Sequence, residues 1–283
     1  MKGLLQNIVC KKIMKIILIL FLLLFTVTSV YPLIWLVFFS FKSNEEIFGG
    51  NIIGPPREWL IENYENALLG GKVLGYLGNS IFVTLVVIIV STILIAMVAY
   101  AVTRMRWKLR GAAYWFFMAG LTIPIHATLL PLFLLLKRIG ILNTPLAIII
   151  PYTAFALPFG IMVLGNHYAT VPYEMEEAAC IDGCSIYQAF FRVILPLVRP
   201  ALATIAIFTF LSSWNELMFA MTFISDDRYK TLTVGIQSLA GMYYTEWGPI
   251  GAGMVVATFP VLFIYILLSK QVQNAILAGA VKG

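Results

Sequence analysis

The side chains best suited to chemistry are concentrated between residues 174 and 184. This stretch holds three glutamates, an aspartate and two cysteines, which are Glu174, Glu176, Glu177, Asp182, Cys180 and Cys184. Cysteines four positions apart could hold a metal ion from one helical face, but no neighbouring Cys or His completes a ligand set. We therefore interpret both as small buried or interfacial thiols in a reducing compartment. No metal or cofactor site is predicted.

Motifs that mark common enzymes are missing from the chain. No G-x-x-x-x-G-K-[ST] sequence occurs, and the Gly71-Lys72 pair is followed by Val73, so the chain is not expected to cradle ATP phosphates. H-E-x-x-H and G-x-S-x-G are absent as well. His126 is expected to be a satisfied interior residue and His167 a surface residue at a helix end. The chain is predicted not to be an enzyme. The alternative, a membrane-embedded enzyme, would need a cluster of His or acids at one depth.

The composition is that of a protein surrounded by lipid. Hydrophobic residues make up 61% of the 283 residues and charged residues only 11%, against roughly 45–50% and about 25% in soluble domains. One water-soluble core could not hide so much apolar surface. The net charge of +6 does not indicate nucleic-acid binding, because the basic residues lie at the ends of apolar runs.

Six apolar runs are long enough to cross ~30 Å of hydrocarbon as helices. They cover about residues 16–40, 78–102, 112–136, 145–165, 199–222 and 249–269. The first resembles a secretory signal, but it lacks a cleavage site and is expected to be retained. The third and fourth are expected to be kinked, because they contain Pro124, Pro131, Pro151 and Pro158. The predicted fold class is an all-α polytopic membrane protein.

The distribution of basic residues predicts the orientation. Twelve of the 19 Lys and Arg residues lie in segments that six spans would place on the same side of the membrane as the N-terminus. Such an excess marks the cytoplasmic side. Both termini are therefore expected in the cytoplasm. The predicted organisation is an N-terminus over 1–15, a six-span domain over 16–269 and a tail over 270–283. The segment from about 170 to 197, here called the central loop, would face the cytoplasm.

The central loop is predicted to form two short helices joined by a sharp bend. Pro172 suits the first turn of a helix, and the acids that follow suit the positive end of its dipole. Gly183 is the residue type that ends a helix with positive φ. Ser185 and Gln188 form a capping-box sequence that starts a second helix, to which Phe190, Phe191, Ile194 and Leu195 give an apolar side.

The spacing in this loop resembles the signature of ABC-importer membrane subunits. That signature is Glu177-Ala178-Ala179, Gly183 three residues later, and Leu195-Pro196, with Val193 in place of the usual Ile. Further matches are to the carbohydrate, maltose-type branch, and the C-terminal AGAVKG sequence is similar to the tail of its second permease. These matches are Asn63-Tyr64, Asn79-Ser80, Tyr100-Ala101 with Arg104, Gly140 with Leu142-Asn143-Thr144, Asp182-Gly183, Trp214-Asn215-Glu216 and residues 278–283.

The resemblance implies a permease that moves sugar while a separate subunit hydrolyses ATP. It implies a homologous second permease, two copies of a cytoplasmic ATPase, an extracytoplasmic sugar-binding protein and a prokaryotic plasma membrane. A permease for another solute is the nearest alternative. The implied ATPase-coupling residues are Glu177, Ala178, Ala179, Asp182 and Gly183. The tail residues Lys282 and Gly283 are implied ATPase contacts.

Two features near the predicted outer side of the membrane each have more than one interpretation. Glu216 is the one acid inside a predicted span, and with Asn215 it is a candidate for the translocation path. It could equally be a carboxylate near the outer interface that is capped by Asn215 or by backbone. The aromatic cluster of Tyr243, Tyr244 and Trp247 indicates a belt of aromatic residues at the membrane interface. The alternative is that these side chains contact sugar or a binding protein.

Overall fold

Helices are the regular elements of the part of the chain that the computed structural model describes, residues 2–241 and 244–280. The α-helices are α1 (Lys2–Ser40), α2 (Asn44–Phe48), α3 (Glu62–Glu65), α4 (Val73–Thr103), α5 (Arg110–Ala119), α6 (Leu129–Arg138), α7 (Leu146–Tyr168), α8 (Glu174–Ile181), α9 (Ile186–Ala189), α10 (Leu195–Leu197), α11 (Arg199–Trp214), α12 (Met218–Phe223), α13 (Leu232–Gln237) and α14 (Trp247–Ala280). Turns of 3-10 helix cover Gly120–Thr122, Ile125–Thr128 and Asp227–Tyr229, and π-helical turns cover Asn66–Gly70 and Phe190–Ile194. The predicted all-α fold is confirmed.

Four helices are long and apolar enough to cross a membrane. They are Lys11–Ser40 within α1, then α4, α7, and Trp247–Leu267 within α14. Two bent pairs could each form one further span, which gives up to six within the described residues. The first pair joins Arg110–Thr122 to Ile125–Arg138 at 97°, and the second joins Ile186–Leu197 to Arg199–Trp214 at 74°. The chain is a polytopic membrane protein.

Two of the predicted spans are interrupted. In the third, Ile123 and Pro124 have extended backbones, because proline lacks an N–H and disfavours helix at the residue before it. The fifth was predicted as one helix over 199–222, and that prediction is wrong: α11 ends at Trp214, and α12 begins at Met218. By contrast, α7 continues through Pro151 and Pro158.

The chain divides into two units. The first contains the residues up to Gly71 together with Ser238–Val256. In it, Lys42 is fully buried just after α1, and its Nζ donates hydrogen bonds to the carbonyl oxygens of Asn51 at 2.6 Å and Gly54 at 2.7 Å. A buried ammonium needs such partners, because an unpaired one would lose its hydration without compensation. Lys42 therefore fixes the loop that follows α1.

The second unit contains Lys72–Gln237 and the residues from Ala257 onward. Its main pair is α4 against α7, where an added Cβ on Gly160 would overlap the side chain of Ile95. Glycine at this position lets the two helices approach closely, as small residues do in membrane packing. The same pair carries, at its α7 end, the loop that leads into α8.

Candidate functional site

A Schellman motif ends α8. The N–H of Gly183 donates to the carbonyl of Cys180 at 3.0 Å, and the N–H of Cys184 donates to the carbonyl of Ala179 at 2.9 Å. Gly183 has a φ of +82°, the left-handed conformation that this motif requires and that glycine adopts without strain. The predicted bend at Gly183 is confirmed.

A capping box starts the next helix directly after the bend. Ser185 Oγ accepts from the N–H of Gln188 at 3.3 Å, and Gln188 Oε1 accepts from the N–H of Ser185 at 2.8 Å. Both bonds belong to the predicted motif. Upstream, Glu174, Glu176 and Glu177 lie in the first turn of α8 as predicted, while Pro172 lies just before that helix rather than inside it.

The downstream half of the central loop is fixed in the core of the second unit. Phe190, Ile194 and Val198 are buried in a cluster with residues of α4 and α7. The ring of Phe190 lies 4.8 Å from the ring of Tyr100. Phe191, predicted for the same apolar side, is exposed, because the π-helical turn changes which side chains face the core. The loop is therefore a structured projection with one end held in the core.

The exposed part of the loop contains four of the five predicted coupling residues. Glu177, Ala178, Asp182 and Gly183 are exposed. Ala179 is buried, so it faces its own chain and is not part of the exposed surface of the loop. Cys180 is exposed and Cys184 half-buried, so Cys180 is not a buried thiol, and the interfacial alternative for it stays a prediction.

Arg104 is a residue of this site whose role the sequence did not reveal. It lies directly after α4, and its side chain is 2% exposed. Its Nε donates to Glu176 Oε1 at 2.9 Å. Its Nη1 donates to the carbonyl oxygens of Tyr168 at 3.0 Å and Val171 at 2.6 Å. These partners are 64 to 72 positions away in sequence, so no local motif could have indicated them.

Glu216 lies in the break between α11 and α12. Its carboxylate accepts hydrogen bonds from the N–H groups of Phe219 at 2.9 Å and Ala220 at 3.1 Å, and also from the hydroxyl of Tyr152. It thus satisfies N–H groups at the start of α12, as a capping side chain does. Asn215 donates instead to the carbonyl of Leu211 at 2.8 Å. Two capping partners were predicted for Glu216. The backbone N–H groups form hydrogen bonds with its carboxylate, and Asn215 does not.

The remaining candidates that the structure describes are the two histidines and two aromatic residues of the predicted outer side. His126 is exposed and stacks on Phe219, so the interior position predicted for it is wrong. His167 is half-buried at the end of α7. The hydroxyl of Tyr244 accepts a bond from Asn44 at 3.1 Å, and Trp247 is exposed.

Three candidate positions, Tyr243, Lys282 and Gly283, lie outside the described residues. Among the residues that are described, no three His, Cys, Asp or Glu side chains are grouped so as to hold a metal ion.

Comparison with known families identifies the protein class. A family model described as a binding-protein-dependent transport system inner membrane component matches residues 92–277, more than half of the chain. The chain belongs to this family. The permease is therefore a multi-pass component of an ABC transport system and not itself an enzyme. The matched range includes the whole central loop.

Individual relatives match nearly the whole permease. It is 35% identical to a diacetylchitobiose uptake system permease protein of Streptomyces coelicolor, over 91% of this chain and 86% of that protein. It is 31% identical to a trehalose/maltose transport system permease protein of Thermococcus litoralis, over 95% and 97%. A bacterial ABC transporter involved in the import of the acidic polysaccharide alginate has a similar structure, with a TM-score of 0.81 and 25% identity over 92% of this chain and 96% of that one.

Proposed function

We propose that the permease belongs to a carbohydrate importer and that its central loop docks onto a cytoplasmic ATPase. The observation that carries the docking role is the shape of the loop. Two capped helices meet at Gly183, the exposed coupling residues lie around the bend, and Phe190 and Ile194 are held in the core. A contact that transmits force needs this stiffness, since a floppy loop would absorb the movement.

The carbohydrate substrate is supported by the relatives. Their names refer to diacetylchitobiose, to trehalose and maltose, and to alginate, all of them carbohydrates. In the proposed assembly, this chain pairs with a homologous permease, two ATPase copies and an extracytoplasmic sugar-binding protein. Closure of the ATPase dimer would move the loop and turn the permease pair outward, which is alternating access by rigid-body motion.

The proposed orientation has both termini in the cytoplasm, following the basic residues counted above. The outer side then includes Tyr244 and Trp247, and the inner side includes the central loop. The tail residues Lys282 and Gly283 are proposed as a second ATPase contact.

Orientation and docking are tested together with Cys180. In a Cys10→Ser, Cys184→Ser background, Cys180 is the remaining native thiol, and it is exposed. We expect a membrane-impermeant maleimide to label it in inverted vesicles that contain the two permeases, and not in right-side-out vesicles. Adding the ATPase should protect it, because the docked subunit covers the loop.

The matched control is Tyr244→Cys in a background in which Cys10, Cys180 and Cys184 are all replaced by Ser. It is also exposed, and it should be labelled in right-side-out vesicles whether or not ATPase is present. Labelling of Cys180 from the outside would contradict the orientation. Equal labelling of Cys180 with and without bound ATPase would contradict docking at this loop.

The substrate class is tested with the extracytoplasmic binding protein of the proposed assembly. We expect calorimetry to detect binding of at least one of trehalose, maltose, diacetylchitobiose or an alginate oligosaccharide, and no binding of free amino acids. That sugar should then stimulate ATP hydrolysis by the assembled importer. A binding protein that takes amino acids and ignores the sugars would favour the importer of another solute.

A further inference from the structure

We propose that Arg104 is a positioning residue that ties α8 to the end of α4, so that movement of the central loop is passed to the second predicted span. This inference rests on the proposed docking role of the loop. It concerns a residue outside the loop, and it assigns the step by which displacement of the loop reaches a membrane helix.

The contacts of Arg104 converge on the segment that joins α7 to α8. Besides the bonds to Glu176, Tyr168 and Val171, Nη2 donates to the carbonyl of Pro172 at 3.3 Å. The guanidinium carbon also lies 3.8 Å from the centre of the Tyr173 ring, a cation–π contact. One side chain therefore holds the end of α7, the connecting residues and the first turn of α8.

The chemistry of arginine suits this role. Its guanidinium is a rigid fork of donors, so bonds in several directions resist rotation as well as separation. The carbonyl of Tyr168, the last residue of α7, accepts from the N–H of Val171 at 3.1 Å as well as from Arg104, and a cation at that end is favoured by the helix dipole. A lysine ammonium would keep the charge but not the fork.

The apolar contacts of the loop are a second attachment of a different kind. Phe190 and Ile194 pack against α4 on the other side of the bend, and hydrophobic contacts are non-directional. The ion pair and the carbonyl bonds are directional. The loop is therefore attached to α4 twice, by packing at its downstream end and by Arg104 at its upstream end.

The neighbouring acids of α8 have different surroundings. Glu176 points toward Arg104, and its side chain is 18% exposed, whereas Glu174 and Glu177 are exposed. Consecutive residues of an α-helix point about 100° apart, so one turn can present an acid to each side. Glu176 serves as the internal anchor, which leaves Glu177 free to face a docked partner.

Hydrogen–deuterium exchange on the assembled importer tests the inference. The complex, with an ATPase variant that binds but does not hydrolyse ATP, is compared with and without Mg-ATP. In the native permease, we expect nucleotide to change exchange in peptides from α8–α9 and from the second half of α4. In Arg104→Gln, the change in α8–α9 should remain, and the change in α4 should be clearly reduced, because the packing of Phe190 and Ile194 against α4 is still present.

The nucleotide-dependent difference separates positioning from a purely structural role, which would alter exchange equally in both states. Arg106→Gln is the matched control, because Arg106 is exposed two positions away, and it should behave as the native chain. If Arg104→Gln does not assemble, Glu176→Ala decides by the same comparison, with a weakened response in α4 expected.

Two results would overturn the inference, and they are distinguishable. A response of α4 in Arg104→Gln equal to that of the native chain would remove the positioning role and leave the docking proposal intact. If nucleotide produced no change in α8–α9 of the native chain, the docking proposal itself would fail.

Discussion

Gly183→Val is expected to abolish transport while the permease still inserts and folds. An ideal Cβ at Gly183 would have no heavy atom within 4 Å, so the chain has room for a larger side chain. The cost lies in the backbone, because φ is +82° and an L-residue in that region is strained by roughly 1–2 kcal/mol. Valine, branched at Cβ, tolerates it least. Relaxing that strain would change the bend between α8 and α9. Co-purification of the ATPase and uptake into proteoliposomes measure the loss.

Gly183→Asn is the matched comparison, since asparagine is close to valine in size but tolerates positive φ. We expect it to retain more ATPase association and more uptake than valine. If Asn and Val lose function equally, side-chain bulk on the docking face explains the effect and backbone conformation does not. Normal transport by Gly183→Val would count against docking at this bend.

Glu216→Ala is expected to have the largest effect on the stability of the assembled permease. It would remove the acceptor of the N–H groups of Phe219 and Ala220, both residues being fully buried. An unsatisfied buried donor costs about 1–3 kcal/mol, so the start of α12 should loosen and the melting temperature of the complex should fall. Glu216→Gln keeps one acceptor oxygen, and we expect a smaller loss of stability with reduced transport.

Tyr152→Phe is the control for this site, because it removes a single bond to Glu216 and leaves the ring. It should lower the melting temperature less than Glu216→Ala does. The series also separates the two interpretations of Glu216. Reduced transport by Glu216→Gln at an unchanged melting temperature would favour a role in the translocation path. Unchanged transport and unchanged melting temperature in both Glu216 variants would contradict a capping role.

The features that the sequence predicted well are local ones. Gly183 and the Ser185–Gln188 pair specify a helix end and a helix start within a few residues of themselves, so no distant contact can move them. Long apolar runs such as α4 and α7 are also predictable, since lipid leaves a backbone few alternatives to helix.

Features that depend on tertiary contacts were not predicted. Arg104 was predicted as a cytoplasmic charge and as part of a family-like pattern, but no contact was predicted for it, because its partners lie on another helix and a distant loop. The end of α11 at Trp214 was missed because apolar residues continue on both sides of the break, and hydropathy does not register an interruption that Glu216 caps. The burial of Ala179 and the exposure of Phe191 depend on packing and on a π-helical turn.

The Schellman motif and the capping box have a consequence for biogenesis. Every hydrogen bond that shapes the bend joins residues at most five positions apart, and contacts of short sequence separation form fastest. Arg104 and α7 precede the loop in the chain and are synthesised before it. The bend can therefore form before α14 has been translated, although the core that holds the downstream end of the loop also contains Ala201 and Ile205 of α11. The shape of the proposed docking surface is thus set by residues that are synthesised before the last predicted span.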